Sequence, residues 1–384
     1  VIDLNRTTFP NTVFLENIIF SSAADFGFAT FSSVADLSAA TFCSVADFSA
    51  ATFSSFADFS SAMFSSAGDF GFATFSAVAN FTTATFSSAA DFGFVTFSSV
   101  AYFGSTTFSS TAYFGFAMFN YAVYFTSAAF SSAADFYSAT FSSVADFGSA
   151  TFSADANFIS ATFAAPARFV KVRFGDPDAP KPARLNLTDA QFEKPASFRG
   201  AVFLNRYPDF TGAIVHEKTV FPWEDGNWPI ACDQDAKDAR DSCAALRHHL
   251  TKQGLLKAEM FFFKREMGFA RQIGKWPERL PYLIYGWLSD CGHSIIRPTN
   301  CLLVLFALGA FAVHFATSFG WMKSFGYSFA NMFKFFGLQR TYFDLDVIQM
   351  WPAWLQWVSG GQTVLSFILL FFLGLGLRTR FRLR

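Results

Sequence analysis

Lysine and arginine are absent from the long stretch between Arg6 and Arg168, where Glu16 and nine aspartates carry all the charge. Over the whole chain charged residues make up only 15% and the net charge is -1, so there is no global basic field for nucleic acid. The five cysteines, Cys43, Cys232, Cys243, Cys291 and Cys301, are scattered and odd in number. They do not outline a disulfide framework, and a reducing side is the simpler reading. Histidine is equally scarce: five residues with one adjacent pair offer little for acid and base chemistry. With no Gly-rich phosphate loop and no nucleophile beside a base, the expectation is a protein that is not an enzyme and holds no cofactor. Cys232, Cys243, His248 and His249 could be assembled into a metal site on residue type. Their spacing fits no zinc pattern, and adjacent histidines on a helix point about 100° apart, so solvated helix positions are the reading preferred. Residue 1 is Val and a repeat is already running by Phe9 and Phe14, so the start of the protein is expected to precede this chain and a signal peptide is neither seen nor excluded.

What the chain has in excess is phenylalanine, 58 of 384 residues. The rings recur with an alternating step of five and six, as in Phe42, Phe48, Phe53, Phe59, Phe64, Phe70 and Phe75, and onward to Phe174. The residue two before each is small: Ala46, Ala51, Ala57, Ala62, Gly68, Ala73. Such a step matches neither the 3.6 of a helix nor the sustained 2 of a strand, and it fits short corners stacked in a coil. Roughly thirty-five units reach Phe203, with Leu37 the one replacement inside the regular run. No unit can bury its ring alone, so stacking creates the core and terminal coils need a cap. Phe48, Phe53, Phe59, Phe64, Phe70 and Phe75 are therefore expected to point inward as structural core.

The stretches Ala46-Asp47-Phe48-Ser49-Ala50 and Ala51-Thr52-Phe53-Ser54-Ser55 resemble pentapeptide repeats. That resemblance implies a mainly β solenoid, a right-handed quadrilateral β-helix with one unit per side. The departure is an extra residue in alternate units, such as Val45 or Phe56, which gives about 22 residues per coil with the insertion absorbed at two opposite corners. A two-sided coil of 11 residues is the rival. The first geometry stacks Phe48 on Phe70 and the second stacks it on Phe59. Asp25, Asp36, Asp47, Asp58 and Asp69 precede their central residues. Gyrase-binding members of the pentapeptide family, which the repeats resemble, present an acidic face that mimics DNA; the alternative is turn chemistry intrinsic to the repeat.

Domain organisation follows the beat. Residues 1–210 read as the solenoid with a loop insertion near 175–184, residues 211–234 as a capping linker, and residues 235–298 as a helical hairpin and juxtamembrane segment. In the hairpin, Ala244, Leu246 and Leu250 precede Gly254, while Leu256, Met260, Phe263 and Met267 follow it; Lys257, Lys264 and Arg265 mark a polar face. Residues 299–384 contain two apolar runs, 301–320 and 355–377, each long enough for a transmembrane helix. Trp321, Trp351, Trp354 and Trp357 lie where both runs meet the connecting loop, as an interfacial aromatic belt would. Arg378, Arg380, Arg382 and Arg384, with Arg279 and Arg297, outweigh Lys323, Lys334 and Arg340 in the loop. The positive-inside rule then places the solenoid and the C-terminus in the cytoplasm.

The segment Ser289-Asp290-Cys291-Gly292-His293-Ser294-Ile295-Ile296-Arg297-Pro298 is similar to one found before the first span in bacterial pentapeptide-repeat membrane proteins, which places the chain in a bacterial inner membrane. Cys291 and His293 stand where that pattern has an aromatic and a basic residue. Some of these proteins are similar in layout to two-span ion channels. Tyr327 to Phe343 lies where a pore helix and filter would be, with Phe336-Gly337 but no potassium-filter motif. Asp344 and Asp346 are candidates for an acidic ring or for a solvated loop. His314 is an ionisable group inside a span and so a candidate by position, or an imidazole packed on the second span.

The function expected is a membrane-anchored scaffold whose cytosolic rod binds a protein partner of unknown identity, with the lipid bilayer as its other partner and no nucleic acid. A homo-oligomeric, channel-like pore is the alternative, and a DNA-mimicking topoisomerase binder is the third.

Overall fold

Each repeat unit contributes one strand of only two residues, because the chain turns a corner every five or six residues and two is what fits between corners. The computed structural model describes residues 1–177, 182–229, 234–334, 337 and 350–381. It divides into two units, Val1–Glu266 and Met267–Arg384. In the first unit, strands β1 (Ile2–Asp3) to β36 (Val202–Phe203) form four parallel sheets of nine strands, each strand pairing with the one four elements away. Ala46 and Asp47 pair with Gly68 and Asp69, and Thr52 and Phe53 with Thr74 and Phe75, so one coil takes 22 residues and has four sides. Eight spacings of about 4.8 Å give a rod on the order of 40 Å long.

The two rival geometries are separated by ring orientation. Phe48 lies parallel to Phe70, with centroids 5.0 Å apart and planes at 5°. It also meets Phe59 at 5.3 Å, but edge-on at 86°. The 22-residue neighbour is thus the stacked one, and the 11-residue neighbour reaches across the interior from the opposite face. From Phe48 onward the rings of the two faces interdigitate as a herringbone, a packing that suits the aromatic quadrupole. Phe48, Phe53, Phe59, Phe64, Phe70 and Phe75 are all fully buried, and so are Ala46, Ala51, Ala57 and Ala62.

The corners alternate in kind. After the Asp-bearing strands the chain turns through a left-handed residue, as at Ala39 (φ 53), Ala50 (φ 52) and Ser61 (φ 57). The aspartate makes that turn: Asp47 Oδ1 accepts from the Ser49 amide at 2.8 Å and Asp69 Oδ1 from the Gly71 amide at 2.8 Å. The other two corners hold the extra residue. Its carbonyl stays in the ladder, since Val45 O accepts from the Ala24 amide and Phe56 O from the Ala35 amide, both at 3.0 Å.

The rod continues past Phe210, where the five-and-six beat had suggested an end. Bridges join Asn186 to Asp209, Gln191 to Ile214 and Ser197 to Val220. Phe221 stacks on Phe198 at 5.0 Å, and Trp228 on Phe203 at 4.6 Å. Larger side chains at irregular spacing therefore fill the inward positions of the last coil.

Helices α1 (Ala236–Lys252) and α2 (Leu256–Ala270) cover that coil. Asp235 caps α1 through the Lys237 amide, and Ala239, Cys243, Leu246 and Leu250 form its buried stripe. On α2 the buried face is Ala258 and Phe262, and Phe262 meets Trp228 edge-on at 4.9 Å. Arg265, expected on the polar face, instead donates to Tyr207 Oη at 2.5 Å, Pro229 O at 3.1 Å and Asp225 Oδ1 at 2.9 Å. The open end of a solenoid exposes unpaired backbone and apolar rings, and these contacts close it.

The second unit holds α3 (Trp276–Ser289), α4 (Ile296–Ala316), α5 (Trp321–Met332) and α6 (Ala353–Phe381). Both α4 and α6 are long and apolar enough to cross a membrane. Helix α4 starts before the apolar run because Pro298 sits in its first turn, where no amide is needed. At about 1.5 Å per residue α6 exceeds a hydrocarbon thickness, which leaves Arg378 and Arg380 in its last turn.

Candidate functional sites

Two places carry side chains that packing alone does not demand: a buried polar seam in the helical unit and an exposed corner of the rod. The seam lies along α6, where Ser359, Gln362, Thr363 and Ser366 recur at helical spacing within an otherwise apolar helix. Gln362 Nε2 donates to Ser328 Oγ at 2.7 Å, to Ser328 O at 3.3 Å and to Leu305 O at 3.3 Å. Ser328 Oγ donates in turn to Phe306 O at 2.7 Å. Thr363 Oγ1 donates to Asn331 O and Ser366 Oγ to Met332 O, both at 3.0 Å.

The seam solves a backbone problem. Helix α5 doubles back along α4: Tyr327 shares a cluster with Val313, Trp351 and Leu355, while Met332 shares one with Leu302 and Leu369. Its last carbonyls therefore end among apolar side chains, where each unpaired one would cost several kcal/mol. Three hydroxyl or amide groups of α6 supply the missing donors. Gly309 makes room, since a Cβ there would stand 2.4–2.6 Å from the Gln362 side-chain amide.

The segment before α4 also has a mechanical account. Ser289 Oγ accepts from the Gly292 amide at 3.0 Å, and Asp290 (φ 50), Cys291 (φ 57) and Gly292 (φ 80) are all left-handed. A Cβ at Gly292 would meet Tyr285 Oη at 2.7 Å. Ser294 Oγ accepts from the Arg297 amide at 3.1 Å, and Arg297 donates to Gly286 O at 3.2 Å at the end of α3. Gly376 packs against Ser294 and Ile295, so Arg297, Arg378 and Arg380 share one end of the unit.

His314 packs against α5 and the loop before it: its ring stacks on Trp321 at 3.9 Å and Nδ1 lies 2.9 Å from Phe319 O. Trp351 is buried on Tyr327, whereas Trp354 and Trp357 are exposed on α6. Gly337 is a left-handed turn residue (φ 77). Phe336, Asp344, Asp346, Arg382 and Arg384, and Cys232, lie outside the described residues. Cys243 is buried on α1, His248 is exposed, and His249 meets Phe221 edge-on at 5.6 Å. Burial pushes the His249 pKa down, helped by Lys252, His248 and His216, against a hydrogen bond from the ring to the Thr219 backbone. Among the described residues no group of three His, Cys, Asp or Glu is assembled for a metal.

On the rod, one left-handed corner carries Arg6, Phe28, Ala50, Phe72, Phe94, Phe116 and Ser138 in successive coils. Phe72 is 64% exposed, Phe94 48% and Phe116 44%. Their rings stack on one another at 4.8 and 4.7 Å. A bulky residue at positive φ is an outlier costing about 1–2 kcal/mol, and these add exposed apolar surface to that cost. The signal was present as Asp-Phe-Gly-Phe at 69–72 and 91–94, where the second Phe falls off the beat. Beside this corner Asp25, Asp47, Asp69 and Asp91 stand in one column. Burial raises the Asp69 pKa, and the repulsion of Asp91 and Asp47 adds to it against the Gly71 amide.

No protein-family model, curated protein or solved structure matches the chain. By its own geometry it is a four-sided parallel β-solenoid followed by helices, two of them of membrane-spanning length and composition.

Proposed function

We propose that the chain is a membrane-anchored pentapeptide-repeat scaffold, not an enzyme, whose rod stands in the cytoplasm and presents repeated surfaces to a protein partner. The observation that carries this reading is the joining, in one chain, of a rod with a dry aromatic core to two helices that can cross a bilayer. The grouping of Arg297, Arg378 and Arg380 at one end of the helical unit supports a cytoplasmic rod and C-terminus. Deleting residues 299–384 should move the rod to the soluble fraction with its β-sheet signal intact; a truncated rod that stayed with membranes would refute the anchoring role.

A second reading is favoured by α5, which runs back beside α4 and ends on donors from α6. Such a half-helix is the kind of element that borders a pathway in two-span channels, and two spans need several subunits to enclose one. Ion flux in liposomes from a purified oligomer supports this reading, and a flux-free monomer rejects it.

A further inference from the structure

The corner formed by Phe72, Phe94 and Phe116 does not need phenylalanine to build the rod. Coils on either side use Ala50 and Ser138 at the same position with the same left-handed backbone, so the fold accepts small residues there. Three stacked rings are nonetheless exposed in a row; Asp69 and Asp91 flank the first two, and at Phe116 the column holds Tyr113 between Asp91 and Asp135. No lysine or arginine stands in the sequence between Arg6 and Arg168 to neutralise them. The chain itself shows what such a ring accepts: at the start of the same corner the Arg6 guanidinium lies over the Phe28 ring, 5.4 Å from its centroid.

We propose that the Phe72–Phe94–Phe116 ladder is a docking site for an arginine-bearing α-helix of a partner protein, each guanidinium lying against a ring, with Asp69 and Asp91 balancing the charge at the first two rungs and Asp91 and Asp135 of the adjoining coils balancing it at the third. The inference rests on the scaffold reading and names the surface and partner chemistry it requires. Electrostatic complementarity selects a cationic partner. Arginine fits better than lysine because its planar group stacks on a ring while donating sideways to carboxylates. The secondary structure follows from spacing. The rungs are 4.7–4.8 Å apart. Helical turns repeat every 5.4 Å, whereas same-face side chains on an extended strand repeat about every 6.6 Å. Over three rungs only the helix stays close to register. Asp69 and Asp91 are held in place by the corner amides of Gly71 and Gly93, so the acidic column is preformed.

The test uses the full chain in lipid nanodiscs and a fluorescein-labelled Ala- and Gln-based helical peptide with three arginines one turn apart on one face. Anisotropy should report binding. The Phe72→Ser/Phe94→Ser/Phe116→Ser variant, with every aspartate intact, should bind at least about tenfold more weakly. The same peptide with its arginines spread around the helix should lose a similar factor. Thermal unfolding of the variant should occur at or above the wild-type temperature, which separates lost recognition from lost fold. Equal binding by the variant would show that carboxylates alone attract the peptide and would overturn the proposal. So would absence of wild-type binding, or wild-type self-association abolished by the same three substitutions, which would make a second copy the occupant. The scaffold reading is tested separately by the 299–384 deletion and survives either result.

Discussion

Replacing Phe70 by alanine tests whether the ring column holds the rod together. Phe70 is fully buried, stacked between Phe48 at 5.0 Å and Phe92 at 4.8 Å, and met edge-on by Phe59 and Phe81 at 5.3 Å and Phe64 at 5.8 Å. Its removal takes away a full aromatic burial and leaves a cavity that the neighbouring rings, fixed by their own strands, cannot close, so about 3–5 kcal/mol should be lost. Phe9, at the end of the neighbouring column that runs through Phe31 and Phe53, is only half-buried and stacks on Phe31 alone, so Phe9→Ala should cost under about 1.5 kcal/mol. Phe70→Leu should fall between, at about 1.5 kcal/mol, because Leu37 already fills an equivalent position without exposure. Hydrogen exchange by mass spectrometry on the full chain in detergent reads each coil separately. Protection should fall in the coils of Phe48, Phe70 and Phe92 and stay unchanged near Phe203, as nearest-neighbour coupling demands. Equal losses from Phe9→Ala and Phe70→Ala, or a leucine as costly as alanine, would refute a column whose strength depends on stacked, unyielding rings.

Three further outcomes follow from named contacts. Asp69→Asn should stabilise the rod at neutral pH by about 0.5 kcal/mol in urea unfolding, since it removes like charges facing each other across strands. Asn80 and Asn157 already occupy such positions and donate to Asp58 and Asp135 of the preceding coil. The Asp69 pKa is raised in the fold, so wild type should gain relative to this variant as pH falls toward the carboxylate range. His249, whose pKa is lowered mainly by burial, contributes stability that is full above its unfolded value near 6.5 and is lost as pH falls below it. Exchange in α1 should therefore quicken at pH 5.5 in wild type but not in His249→Gln. In the helical unit, Gly309→Ala should push the Gln362 amide off Leu305 O and Ser328, costing about 1–2 kcal/mol in detergent unfolding. Combined with Gln362→Ala it should cost clearly less than the sum, and strict additivity would show that the two residues do not touch.

The parts of this fold that the sequence made legible are those where one physical demand repeats. Ring stacking at one spacing per coil favours Phe at the inward positions, with Leu37 the replacement inside the regular run, and the 22-residue period follows from the step alone. The end of the rod was less legible because Tyr207, Phe221 and Trp228 meet the same demand with different side chains at irregular intervals. The seam of Gln362, Thr363 and Ser366 was visible as polar residues on one face of an apolar helix. Its purpose required knowing that α5 ends beside them, and no local pattern in α6 carries that information.

The corner positions differ in kind. Ala50, Phe72 and Ser138 share one backbone conformation, so the fold does not choose among them. An inward Phe is explained by the core and says nothing further about function. A Phe at the corner pays in exposed apolar surface without adding to the core, and its cause must lie outside the fold. In a repeat protein the positions that break the beat without breaking the backbone are therefore the ones to ask about function. The Phe-Gly-Phe units at 70–72, 92–94 and 114–116 meet that criterion in three consecutive coils.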